Sequence, residues 1–194
     1  MARINKSKYA ILGMLGVSPM SGYDIRQMAE KSIGYFWSES YGQIYPVLKM
    51  LREEGLAEEL PPASGGGHKA RRVFAITPAG RQVLREWLSE PPEITPTRSE
   101  VLLKIFFGHN VGPRTIAAHL RGFIPQLEEK LAVFQGIEVM LKGELKENPH
   151  APYYLITLRQ GLHGHRANLA WLRESIQSLE ALPENPSGGA PGGL

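Results

Sequence analysis

Apolar residues recur at helical spacing three times before any strand signal appears. Residues 8–17 form a short apolar run in which Ile11, Leu12 and Leu15 share a face, and Ser18-Pro19 closes it. Ser21 opens a second helix; Asp24, three positions on, completes a capping-box pair, and Ile25, Met28 and Ala29 form the inner face up to Gly34. A third helix is predicted from Ser40, with Gln43 at the capping-box position, through Ile44, Val47, Leu48 and Leu51 to Gly55. Its opposite face carries Tyr41, Tyr45, Lys49 and Arg52 at steps of four, four and three, an aromatic and basic stripe pointing away from the core. Pro46 conflicts with a start at Ser40, because a ring that deep clashes with a preceding carbonyl. The helix therefore starts later or bends.

The pattern then changes. Residues 56–60 and 71–76 read as two short strands around a Gly/Pro/Ser loop, which makes a β-hairpin. Thr77, followed by Pro78, starts a fourth helix whose buried side is Val83, Leu84, Trp87 and Leu88, and Pro91-Pro92 stops it. Helix, helix, helix, strand, strand, helix is the order of a winged helix-turn-helix, assigned to residues 1–90. The segment EPPEITP at 90–96 is a stiff linker.

Residues 97–182 read as helical throughout. A short apolar helix spans 101–107, and Gly112-Pro113 opens a long one in which Ile116, Leu120, Phe123, Leu127, Leu131, Phe134, Ile137, Leu141 and Leu145 fall at steps of three or four, with a kink expected at Pro125. After a turn at 148–152, the last helix has the most regular stripe in the chain: Leu155, Leu158, Leu162, His165, Leu169, Leu172, Ile176 and Leu179. Such a heptad seam is expected to pair two subunits. Residues 183–194 are too poor in apolar side chains to pack and read as a flexible tail. The fold class is thus mostly α with a small β-hairpin: an N-terminal winged helix-turn-helix followed by an all-α C-terminal dimerisation domain.

Composition narrows the chemistry. The chain has no cysteine, which excludes cystine frameworks, thiolate zinc sites and cysteine nucleophiles and suits a reducing, cytoplasmic location. The opening apolar run lacks a cleavage pattern and is too short to span a bilayer, so no membrane association is expected. The net charge of +3 lies wholly in the first ninety residues, which carry 12 Lys/Arg against 9 Asp/Glu, while the remainder carries ten of each. That asymmetry suits a nucleic-acid-binding module joined to a neutral assembly module.

No enzymatic constellation emerges. The glycines at 65–67 before His68-Lys69 fail the phosphate-loop pattern and link two strands, as a wing tip does. His163 and His165 point about 200 degrees apart on a helix and have no adjacent carboxylate, so no metal site is expected; His165 reads as a hydrogen-bonded seam residue that fixes register. Asp24 is the sole aspartate, and capping accounts for it. No cofactor is implied. Phe106, Phe107, Phe123, Tyr153, Tyr154 and Trp171 read mainly as core, with an effector pocket between C-terminal helices as the alternative.

Five blocks, YAILGML at 9–15, SGYDI at 21–25, YGQIYPVL at 41–48, LREEGL at 51–56 and ITPAG at 76–80, stand in an order and at separations that resemble the PadR family of bacterial transcriptional regulators. The resemblance covers residues 4 to 90 closely, and the helical remainder is similar to the family's larger subfamily, whose C-terminal helices form the dimer. It implies a dimeric repressor that binds a two-fold symmetric operator in double-stranded DNA and is often released by a small molecule, for instance a phenolic compound. The third helix would read the major groove through Tyr41, Gln43, Tyr45 and Lys49, while Ser38 and Ser40 hold a phosphate at its entry. Tyr23 resembles a backbone-contacting position, and Lys69, Arg71 and Arg72 would lay the wing along the neighbouring groove. The competing reading is a winged-helix protein-interaction module that does not touch DNA.

Overall fold

The computed structural model describes residues 6–37, 41–61, 71–93 and 98–183. Ser38, Ser40, Lys69, the glycine-rich wing tip, the middle of the linker and the tail from Glu184 onward lie outside the described residues. The chain divides into two compact units, Met1–Thr95 and Pro96–Leu194.

The first unit is built from α1 (Ser7–Val17), β1 (Met20–Ser21), α2 (Gly22–Lys31), α3 (Ile44–Glu53), β2 (Ala57–Glu59), β3 (Val73–Ile76) and α4 (Pro78–Ser89). Its core gathers the inner face of each helix: Leu12 and Leu15 of α1, Ile25 of α2, and Val47, Leu48 and Leu51 of α3, closed below by Phe74 and Ile76 of the sheet. The sheet has three strands in the order β1-β3-β2, all antiparallel, with Met20 opposite Phe74 on one side and Glu59 opposite Phe74 on the other. The expected hairpin is therefore two strands of a three-stranded sheet. β1 is only two residues long, too short to show any alternation.

Helix α2 begins as expected. The Ser21 hydroxyl accepts from the Asp24 N–H at 3.3 Å, and the Asp24 carboxylate accepts from the Ser21 N–H at 3.1 Å, a reciprocal capping box. It ends at Lys31 with the Ser32 hydroxyl donating to the Met28 carbonyl; Gly34 falls in the one-turn 3₁₀ segment Ile33–Tyr35 beyond.

Helix α3 resolves the conflict at Pro46. A 3₁₀ turn, Tyr41–Gln43, precedes it and the α-helix starts at Ile44, so Pro46 is the third helical residue, where no partner for an N–H exists anyway. The start predicted at Ser40 is thus corrected by one turn, and Gln43 is the boundary residue without a side-chain cap. At the other end Gly55 takes φ +70°; its N–H donates to Arg52 and that of Leu56 to Leu51, the paired bonds of a Schellman stop. The start of α4 sits on this stop. Thr77 caps α4 by accepting from Gly80 N–H at 3.0 Å and donates its hydroxyl proton to the Gly55 carbonyl at 2.8 Å. A β-carbon at Gly80 would collide with the Leu56 carbonyl oxygen. Of the predicted buried side of α4, Val83, Leu84 and Trp87 are half-buried, with Trp87 stacked on Tyr9 at 4.4 Å, but Leu88 is exposed.

The second unit comprises α5 (Glu100–Phe106), capped by Ser99, and two 30-residue helices, α6 (Pro113–Lys142) and α7 (Ala151–Glu180). The α6 helix continues through Pro125. Ion pairs Arg121–Glu180, Glu128–Arg173 and Glu138–Arg159 tie the two long helices together in descending register, so they run antiparallel. Between them, Leu172, Ile176 and Leu179 of α7 pack with Ile116, Leu120, Ile124 and Leu127 of α6, and Leu162 and Leu169 are also buried. The stripe expected to pair two subunits thus faces a helix of its own chain, with Leu155 and Leu158 half-buried at its start. The six aromatic residues read mainly as core are all at the surface, from Trp171 at 36% to Tyr153 at 72% exposed. Among the described residues no helix is long and apolar enough to cross a membrane.

Candidate nucleic-acid interface

The face of α3 opposite the core is open. With Ile44, Val47, Leu48 and Leu51 buried, helical periodicity turns Tyr45 and Lys49 outward, and Gln43 is exposed at the helix entry. Tyr45 is 61% exposed, yet its ring is placed: it lies over Gly22 so closely that a β-carbon there would come within 2.8 Å of the ring. Glycine at the first residue of α2 thereby leaves room for the tip of a tyrosine ring from α3 at the helix start. Lys49 stands 3.8 Å from Glu53, one turn on. Tyr41 opens the 3₁₀ turn ahead of the helix.

The wing strand supplies the second part. The Arg71 guanidinium lies 4.7 Å over the Tyr23 ring and 3.8 Å from Asp24, while Gln27 donates to the Tyr23 hydroxyl at 2.8 Å. Tyr23 and Arg71, assigned separately from sequence, form one stacked unit. Asp24 serves twice, as cap and as partner of Arg71. The bonds from Ser21, its hydroxyl first and then its backbone, hold the Asp24 carboxyl below the usual carboxylate range, and Arg71 adds to this.

Arg72 points to the other side of the strand. Side chains two apart on a strand share a face and directly opposed residues do so too, so Arg72, Phe74 and Glu59 project together. Arg72 makes a bidentate pair with Glu59, Nε to Oε1 at 2.7 Å and Nη2 to Oε2 at 2.5 Å, and Arg52 of α3 donates to the same carboxylate at 3.2 Å. The hydrogen bond from Arg72 is the main reason the Glu59 carboxyl is held below its ordinary value, and Glu59 in turn raises Arg72. Sequence reasoning did not find Glu59, because its role depends on strand register. The signal was strand alternation, which places 59 and 72 on one face once Ala57 is known to oppose Ile76.

Tyr23, Tyr45, Arg52, Arg71 and Arg72 are thus all exposed, with Arg71 clustered on Tyr23 and Asp24, and Arg72 and Arg52 clustered on Glu59. Residues 11–86 match the family described as "Transcriptional regulator PadR-like family", and residues 97–180 match "Virulence activator alpha C-term". Over 177 residues the chain is 30% identical to the negative transcriptional regulator PadR of Bacillus subtilis, across 89% of this chain and 96% of that protein. The chain belongs to the PadR-like family of transcriptional regulators. Two crystal structures extend the likeness of this PadR-like regulator over most of its length. Bacillus subtilis PadR in complex with operator DNA superposes with a TM-score of 0.81 at 27% identity, covering 91% of this chain and 99% of that one. The same protein in complex with p-coumaric acid gives a TM-score of 0.73 at 27% identity, covering 89% and 98%. This regulator's family and relatives act on transcription and are not enzymes.

Proposed function

We propose that this regulator is a repressor that binds a two-fold symmetric operator as a homodimer and is released by a small aromatic acid. The observation that carries the DNA-binding part is that the first unit exposes Tyr45 and Lys49 on the outer face of α3 together with the cations Arg71 and Arg72 ahead of β3. Gln43 at the α3 entry reaches a base edge, Tyr23, Tyr45 and Lys49 take phosphates, and the wing cations lie along the backbone. Ser38, Ser40 and Lys69, expected from the sequence to contact DNA, lie outside the described residues. The repressor assignment and the effector class rest on the Bacillus subtilis relative, a negative regulator solved with operator DNA and with p-coumaric acid.

The dimer is assigned to the second unit, as in the sequence reading, but with a different surface. The α7 stripe is filled by α6, whereas Phe106 (70% exposed), Val139 (73%), Ile156 (67%), Leu102 and Leu103 remain uncovered on the helices around it. That many large apolar side chains on one small unit mark an association surface. Pairing through them would give two reading heads for two half-sites.

Selection of bound duplexes from fragmented genomic DNA tests this reading. The expected result is enrichment of a palindromic site whose binding weakens steeply with salt and is relieved by p-coumarate. Recovery of no enriched sequence at low salt would overturn the DNA-binding assignment in favour of a protein-interaction module.

A further inference from the structure

Two cations on the proposed DNA face, Arg52 and Arg72, share one carboxylate. Both oxygens of Glu59 are used: Oε1 accepts from Arg72 Nε, and Oε2 accepts from Arg72 Nη2 and Arg52 Nη1. The guanidinium fork fits a carboxylate and a phosphate with the same geometry, so Glu59 occupies donors that a DNA backbone phosphate would otherwise take. The three side chains are 57%, 44% and 29% exposed for Arg72, Arg52 and Glu59, so a duplex can reach them. Arg52 comes from α3 and Arg72 immediately precedes β3, and the shared anion therefore joins the reading helix to the wing. Phe74, buried beneath Arg72 with the guanidinium 5.6 Å from its ring, supplies a fixed floor.

Resting on the DNA-binding reading above, we propose that Glu59 is a positioning residue for operator discrimination, holding Arg52 and Arg72 to each other and away from indiscriminate phosphate contact. Non-specific binding is almost wholly phosphate neutralisation by mobile cations in many docking geometries. Tying up two of those cations weakens it. Operator binding uses one geometry, in which helix and wing must already stand in fixed relation, and the shared carboxylate provides that relation in advance. Its removal therefore strengthens contact with any sequence while giving the operator no comparable gain.

The test compares the full-length protein and Glu59→Gln on an operator duplex and on a scrambled duplex by fluorescence anisotropy across a salt series. The glutamine variant is expected to bind scrambled DNA several-fold more tightly, with a log-log salt slope steeper by about one to two phosphate contacts at roughly 0.9 each, and to lose at least about tenfold in discrimination. Arg72→Lys keeps the charge but cannot make the bidentate pair, so discrimination is expected to fall with a salt slope steepened by less than in Glu59→Gln, since one cation instead of two is released. Unchanged discrimination in the two folded variants, or parallel weakening on both duplexes, would overturn the proposal. If Glu59→Gln does not fold, Arg72→Lys alone decides. Wild-type protein that binds neither duplex in a salt-dependent way would instead overturn the DNA-binding reading itself.

Discussion

At the residue scale, His165 sits on α7 two residues beyond His163 and one turn beyond Gly161, facing Phe134 of α6. The sequence predicts a hydrogen-bonded seam residue; instead its Nε2 is buried without a hydrogen-bond partner among the described residues, and its ring lies 5.1 Å from that of Phe134 on α6. Gly161, one turn earlier, makes room for the same phenyl ring, which a β-carbon there would strike. Burial first, and then the charge of Lys130, pushes the imidazole below its ordinary value. The unfolded chain thus takes up a proton near pH 6.5, where the folded chain does not. Stability should be complete above that value and fall as pH drops through it towards the depressed folded value. Replacing His165 by Phe should flatten the loss of stability between pH 7.5 and pH 5.5 in urea unfolding; an unchanged slope would show that other groups carry it. At the start of α2, Ser21→Ala removes the cap of the Asp24 N–H and also frees one restraint on the partner of Arg71. A loss of about 1 kcal/mol is expected in the same assay, and no measurable loss would mean that the box is idle.

At the scale of elements, legibility followed how local the causes are. The stop of α3 was readable because Gly55 alone can take its positive φ without strain, and the start of α4 because Thr77 and Pro78 announce it. The true start of α3 was half-readable: Pro46 required either a start after Ser40 or a bend, and only the 3₁₀ turn shows that the helix begins later, at Ile44. β1 was invisible, since its two residues owe their extended form to pairing with β3, more than fifty positions away. The junction between the α3 stop and α4 has a sharp consequence. Gly80→Ala would drive a methyl group against the Leu56 carbonyl, a backbone atom that cannot swing aside. We expect a loss of about 1–3 kcal/mol, read as a lowered melting temperature. Since Leu56 leads directly into β2, the wing should loosen with it. A variant as stable as wild type would show that the junction gives way freely.

At the scale of the whole molecule, the α7 stripe shows why a heptad does not name its partner. A row of apolar side chains at steps of three and four is satisfied equally by a helix of the same chain or of another, and here α6 follows the same spacing and lies next in sequence. The proposed subunit contact is therefore placed on side chains left over, and Phe106, Ile156 and Val139 were legible as apolar but not as exposed. Charged substitutions at Phe106 and Ile156 together should convert a dimer to a monomer in light scattering and weaken operator binding at least about tenfold, because one head then meets one half-site. A dimer that persists in the double variant would move the interface elsewhere. The candidate DNA face was legible in its cations and aromatics, Tyr23, Tyr45, Lys49, Arg71 and Arg72, because they stand out in composition and spacing. Their acidic partners Asp24 and Glu59 were not, because ion pairs across elements require the register.

The central claim is that the outer face of α3 reads DNA. Its most direct test is the affinity of Tyr45→Ala/Lys49→Ala, against wild type, for the selected operator duplex at fixed salt. Both side chains are exposed, so the fold should be retained, with the melting temperature within a few degrees of wild type, and operator affinity should fall by at least about a hundredfold. A folded double variant that binds the operator as tightly as wild type would contradict the account.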